Sequence, residues 1–122
     1  MNISDLYSKE KHESGSEMIV NGEGGKPTPL VLILRGVDSS VYRDNTRKMR
    51  RKVLDAMASD AGIESIDEVS ADIDAFVELT VGWKGTDEEF TPELCRELYI
   101  EAPYVRDQVD TFIGNRSNFI KG

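Results

Sequence analysis

The stretch Glu17-Met18-Ile19-Val20-Asn21-Gly22-Glu23-Gly24-Gly25-Lys26-Pro27-Thr28-Pro29-Leu30-Val31-Leu32-Ile33-Leu34-Arg35 decides the fold class. Its two ends are short runs of aliphatic and β-branched side chains, and its middle is a Gly/Pro tract unsuited to a strand or helix interior. The pattern reads as an antiparallel hairpin, with strands over 17–21 and 30–35 joined by a long tip. The tip glycines serve the turn. A phosphate cradle needs a strand before the glycines and a helix directly after them.

Beyond the hairpin the apolar period lengthens from two to about 3.6. Gly36-Val37-Asp38-Ser39-Ser40 ends the second strand and supplies capping side chains for a helix from Ser40 to Ser59, with Tyr42, Met49, Val53, Ala56 and Met57 facing a core. The rest of this helix is cationic: Arg43, Arg47, Lys48, Arg50, Arg51 and Lys52. Its successor is the reverse, for no Lys or Arg occurs between Val53 and Trp83. Gly62 closes the first helix, and Ser65-Ile66-Asp67-Glu68 has the pattern of a capping box that opens a second with Ile66, Val69, Ile73, Phe76 and Thr80 inward. Thr91-Pro92-Glu93 starts a third helix with Leu94 and Leu98 inward. Ala102-Pro103 breaks it and begins a fourth with Val105, Val109, Phe112 and Ile113 at helical spacing. The expected fold is α+β, an N-terminal β-hairpin followed by a small bundle of about four helices. Residues 17–122 form one domain, and residues 1–16 read as a flexible polar leader in which only Ile3, Leu6 and Tyr7 offer anchors.

A chain of 122 residues is long enough to bury a core without staples. Lys and Arg number 15 against 23 Asp and Glu, a formal net charge of -8, which disfavours attraction of the whole molecule to nucleic acid or an anionic membrane. Nothing in Met1-Asn2-Ile3-Ser4-Asp5-Leu6 resembles a secretory signal and no apolar run is long enough to span a bilayer, so a soluble, cytoplasmic protein is expected.

Few residues invite chemistry. Cys95 is the single cysteine, set between apolar helix positions, and reads as a buried thiol. His12, the single imidazole, lies in a polar stretch and reads as solvated. Asp67, Glu68, Asp72 and Asp74 occupy the outer side of an amphipathic helix, where no cleft shifts their titration. Asp87-Glu88-Glu89 lacks the alternating ligands of a calcium loop. No catalytic, cofactor-binding or metal-binding residue is assigned, and the chain reads as a binding protein that is not an enzyme and needs no cofactor.

Two sets of residues are candidates for partner binding. Arg43, Arg47, Arg50 and Arg51 on the basic helix suit a solvated face, an acidic protein surface or phosphate backbones, the last disfavoured because no aromatic platform for bases lies between them. Trp83, Phe90, Tyr104 and Phe119 lie between charged stretches and are candidate apolar anchors, although Trp83 serves equally as a plug between two helices. The opposite charges around Arg47 and Asp72 suit head-to-tail association of copies of the chain.

Gly36-Val37-Asp38-Ser39-Ser40-Val41-Tyr42-Arg43 after a strand, Gly82-Trp83-Lys84-Gly85 leading to Phe90-Thr91-Pro92-Glu93, Ala102-Pro103-Tyr104-Val105-Arg106-Asp107-Gln108-Val109 and Asn115-Arg116-Ser117-Asn118-Phe119 resemble segments of the tail assembly chaperones of long-tailed, siphovirus-type bacteriophages. The resemblance spans most of the chain from Met18. It implies a non-enzymatic protein of the host bacterial cytoplasm that binds the tape-measure protein and helps recruit tail-tube subunits. The alternatives are a phage structural protein retained in the virion and a host-directed phage binding protein. The resemblance also implies a longer product made by ribosomal slippage, for which Ile120-Lys121-Gly122 permits a slippery codon run.

Overall fold

Alternation builds the sheet. In β1 (Ser16–Asn21) Ser16, Met18 and Val20 are buried while Glu17, Ile19 and Asn21 are exposed, the period of a strand with one face on a core. This computed structural model describes residues 1–60, 62, 64 and 66–120. β2 (Pro27–Leu34) runs antiparallel to β1, with Met18 opposite Leu32 and Ile19 opposite Val31. The hairpin is therefore present, with a tip shorter than expected because Pro27 to Pro29 already belong to the second strand.

A third strand, β3 (Thr80–Lys84), pairs antiparallel with the other side of β2 and completes the order β1-β2-β3. The sequence reading assigned Thr80 to a helix stripe and left Val81 to Lys84 as a connector. Five residues interrupted by Gly82 carry little alternation of their own, and β2 supplies the pairing from far away in the sequence. Gly85 then turns the chain at φ +88°, where a Cβ would strike the carbonyl of Pro29.

Five α-helices accompany the sheet among the described residues: α1 (Lys9–Ser14), α2 (Ser40–Ala58), α3 (Glu68–Leu79), α4 (Pro92–Glu101) and α5 (Pro103–Gly114). Their starts are locally encoded. Ser39 accepts from the Tyr42 amide at 3.2 Å, Asp67 from Ser70 at 3.1 Å and Thr91 from Leu94 at 3.1 Å. Each satisfies a donor that the first helical turn leaves free. Ser65, placed in the expected capping box, lies outside the described residues, as do Lys121 and Gly122.

The inner sheet face, Met18, Val20, Leu32 and Leu34, packs on Ile73 and Leu79 of α3, Cys95 and Tyr99 of α4, and Val105, Val109 and Ile113 of α5. On α4 the fully buried positions are Cys95 and Tyr99, while Leu94 and Leu98 are half-buried. Tyr99 tolerates this depth because its hydroxyl has a partner, Thr80 Oγ1 at 2.6 Å. α2 stands apart: Ala56 is its one buried residue, and Met57, expected to face inward, is 63% exposed. α5 also covers the outer edge of β1, where the Gln108 side chain accepts from the Asn21 amide and donates to the Asn21 carbonyl, both at 2.8 Å. That amide does for the strand edge what a further strand would do.

The solvated histidine expected in the leader is corrected. His12 sits on α1 with no exposed surface, because Gly36, Asp38 and Phe119 close over it from distant parts of the chain. Glu13 accepts from the Ser40 amide at 2.7 Å and from its hydroxyl at 2.9 Å, so α1 caps α2. These two bonds hold the Glu13 carboxyl below the usual range. No helix among the described residues is long and apolar enough to cross a membrane.

Candidate partner-binding surface

Because α2 rests on α3 along only part of its length, an open groove of about 1090 Å³ runs between α2 and the α3–α5 layer. Tyr42, Asn45 and Met49 of α2, Val69 and Phe76 of α3 and Ile113 of α5 contribute to its wall. Val69, expected in the core, is 58% exposed at this groove. α2 contributes the cations Lys48, Arg50 and Lys52, and the facing side is mainly acidic, with Asp72, Asp74, Glu78, Glu93, Asp107 and Asp110 outnumbering Arg96 and Arg106. Asp72 titrates above the ordinary carboxylate range because the groove wall desolvates it and Asp110 and Glu68 repel its charge, which Arg106 only partly offsets. Asn45 Nδ2 is buried in α2 and finds no hydrogen-bond partner among the described residues.

The candidate arginines lie on the expected basic helix. Arg43, Arg47, Arg50 and Arg51 are all exposed on α2, and Arg47 reaches Asp44 at 3.8 Å. Geometry of this kind between two exposed side chains adds little to stability.

The four candidate aromatics do not form one patch. Phe119 is fully buried, stacked on His12 and edge-on to Phe112 at 5.6 Å, so its assignment as a surface anchor is corrected to a core residue. Trp83 and Phe90 do come together, edge to face at 5.0 Å, and Trp83 Nε1 donates to the Glu88 carbonyl at 2.8 Å. Both are half-buried against the core cluster, so Trp83 plugs the junction of β3 with the turn before α4 and not a junction between helices. Tyr104, at the start of α5, is 37% exposed.

Cys95 is buried, and burial pushes its thiol up and away from the reactive thiolate form. Among the described residues no group of three or more His, Cys, Asp or Glu is placed to hold a metal ion. The groove escaped sequence reading because its walls come from helices whose relative placement is a tertiary property. The signal that was present is the low overall hydrophobicity of α2, whose apolar stripe among many Lys and Arg is too narrow for full burial.

Compared with protein-family models, with curated proteins and with solved structures, the chain matches none of them.

Proposed function

We propose that this chain is a non-enzymatic protein-binding factor that receives a helical segment of another protein in the groove between α2 and α3–α5. In line with the resemblance, we assign it to bacteriophage tail assembly, as a chaperone of the host bacterial cytoplasm that engages the tape-measure protein and tail-tube subunits. The observation that carries the reading is the groove itself. Met49, Val69 and Phe76 offer apolar contact, and basic and acidic side chains flank them, the surroundings that an amphipathic helix requires of a receptor. A long helical tape-measure chain exposes apolar stripes before its assembly is complete, which is the kind of surface such a groove covers.

The test is co-expression with the tape-measure and tail-tube proteins of the same genome, followed by capture and titration with helical tape-measure segments. Wild-type protein is expected to capture the tape-measure protein, and Val69→Glu, which places a charge in the groove at an exposed position, is expected to weaken that binding by at least about tenfold. Failure of the wild-type protein to bind either tail protein overturns the assignment. Its recovery in stoichiometric amount from purified virions points to a structural component, and its capture of a host protein in place of tail proteins points to a host-directed factor.

A further inference from the structure

α2 turns a second face to solvent, which meets the groove at Arg50. Arg43, Arg47 and Arg51 follow one another at intervals of four, Arg50 lies beside them, and Leu54, 60% exposed, extends the same stripe one turn further. The stripe lies opposite Asn45, Met49 and Ala56, which face the groove or the core. Its three in-line guanidinium groups span about 12 Å of helix axis. Among the described residues the stripe makes one local ion pair, Arg47 with Asp44, and Arg43 lies within the electrostatic reach of Glu13.

α4 carries the counterpart. Glu93, Glu97 and Glu101 are also spaced by four, all three are exposed, and they stand opposite the buried pair Cys95 and Tyr99. The span is again about 12 Å. Ile100, 46% exposed, lies on the same face as Leu54 does on the arginine face. Among the described residues none of the three glutamates takes part in an ion pair.

We infer that the arginine face of α2 docks on the glutamate face of α4 in a second copy of this chain. The two stripes are opposite in sign and equal in number, pitch and length, and each adds one exposed aliphatic side chain to a charged row. Guanidinium groups suit this pairing because their planar forks bind carboxylates through two parallel hydrogen bonds. A contact that joins different faces of two identical chains is heterologous, so it propagates into a ring or an open chain of subunits. A polyanion such as nucleic acid is the less favoured occupant. The chain as a whole carries -8 although α2 itself is positive, so the remainder repels phosphate at close range. The acidic partner surface is thus α4 and not the region around Asp72, whose carboxylate lies in the groove beside Asp110 and Arg106. This inference is independent of the tail-assembly reading, since it uses no phage protein and its central residues, Arg43, Arg47, Arg51, Glu97 and Glu101, lie outside the groove wall, which only Arg50 and Glu93 border.

Sedimentation velocity over a range of protein concentrations, at about 50 mM and about 500 mM salt, tests it. Wild-type protein is expected to associate at low salt and to return toward the 13.6 kDa monomer at high salt. The variants R47E/R51E and E97K/E101K should each be monomeric, with circular dichroism unchanged because all four positions are exposed. Their equimolar mixture should associate again, since each reversed stripe then meets a complementary one. A wild-type monomer at every concentration overturns the proposal, as does association that both reversals leave intact. A wild-type monomer that retards a DNA or RNA oligonucleotide, and loses that ability in R47E/R51E, overturns it in favour of nucleic-acid binding.

Discussion

The imidazole of His12 stacks on the ring of Phe119, centroids 4.3 Å apart and planes 19° from parallel, so a helix near the start of the chain is held by a turn near its end. Asp38 joins the same cluster. Its amide donates to His12 Nδ1 at 3.2 Å, and its carboxylate binds Arg116 through two hydrogen bonds of 2.9 and 3.1 Å. With Nδ1 accepting, the neutral ring carries its proton on Nε2, which lies 3.3 Å from Asp38 Oδ2 without the alignment of a hydrogen bond. The Arg116 pair is exposed and adds little by itself, but it pins the loop that places Asp38 over the histidine.

Acid should loosen this cluster before it affects the carboxylates. Burial holds the His12 pKa below its ordinary value, despite the opposing attraction of Asp38, so the unfolded chain binds the proton more readily than the folded one. The contribution of neutral His12 to stability is complete above the unfolded value of about 6.5 and is lost as pH falls below it. Glu13 and Asp38 have depressed pKa values, and their contributions fade only as pH falls below about 4. Urea unfolding of wild type should therefore show a midpoint that declines as pH falls below about 6.5, a decline that His12→Asn lacks. Equal pH dependence in the two proteins would contradict the neutral buried histidine.

Gly36 should be intolerant of any side chain because of this ring. A Cβ there would run into His12 Nδ1, and His12 is fixed by Phe119 behind it and by the Gly36 amide, which donates to the His12 carbonyl at 3.1 Å. Gly36→Ala is expected to destabilise by about 2–3 kcal/mol through overpacking. In the background of His12→Ala the same change should be nearly neutral. A double-mutant cycle by thermal or urea unfolding measures the coupling, and additive effects would mean that the ring moves aside freely.

What was legible in the sequence was local. The hairpin could be read because its strands alternate and its turn is marked by Gly and Pro within about 20 residues, and the caps of α2, α3 and α4 because a cap involves neighbours three positions apart. The basic character of α2 was legible for the same reason. Phe119 and His12 were misplaced because the residues that bury them, Gly36, Asp38 and each other, are distant in sequence and their own surroundings are polar. β3 was missed because its evidence is the free side of β2. On α4 the leucines were preferred by hydrophobicity alone, whereas a hydrogen bond available only in the tertiary structure lets Tyr99 go deeper.

Trp83 should tolerate Phe better than Ala. Phe keeps the edge-to-face contact with Phe90 and loses the bond to the Glu88 carbonyl, a loss of about 1 kcal/mol. Ala also empties the space against the core cluster, with an expected loss of about 3 kcal/mol. Thermal unfolding of both variants measures the difference. As the single tryptophan, Trp83 also reports by fluorescence whether a partner covers this junction: a shift in emission on binding, absent in Trp83→Phe, would place the contact there.

The deepest polar contact in the core has a defined direction. Thr80 Oγ1 donates to the Phe76 carbonyl at 2.7 Å, which uses its one hydrogen, so in the 2.6 Å contact with Tyr99 the phenol must be the donor. Both residues are buried, and burial drives the Tyr99 pKa well above the ordinary tyrosine value. The contact ties α4 to the junction where α3 passes into β3, which makes it a joint of the fold and not only a satisfied hydroxyl. Tyr99→Phe keeps the ring and its edge-on packing with Phe76 but leaves a lone pair of Thr80 unpaired in the core. The expected loss is about 1–2 kcal/mol. Thr80→Val leaves the phenol without its acceptor and should be at least as damaging, while the two changes together should be milder than their sum because neither orphan then remains. Thermal unfolding of the three variants decides the matter. Strict additivity would show that the two hydroxyls do not depend on each other, and a Tyr99→Phe variant as stable as wild type would show that water replaces the bond.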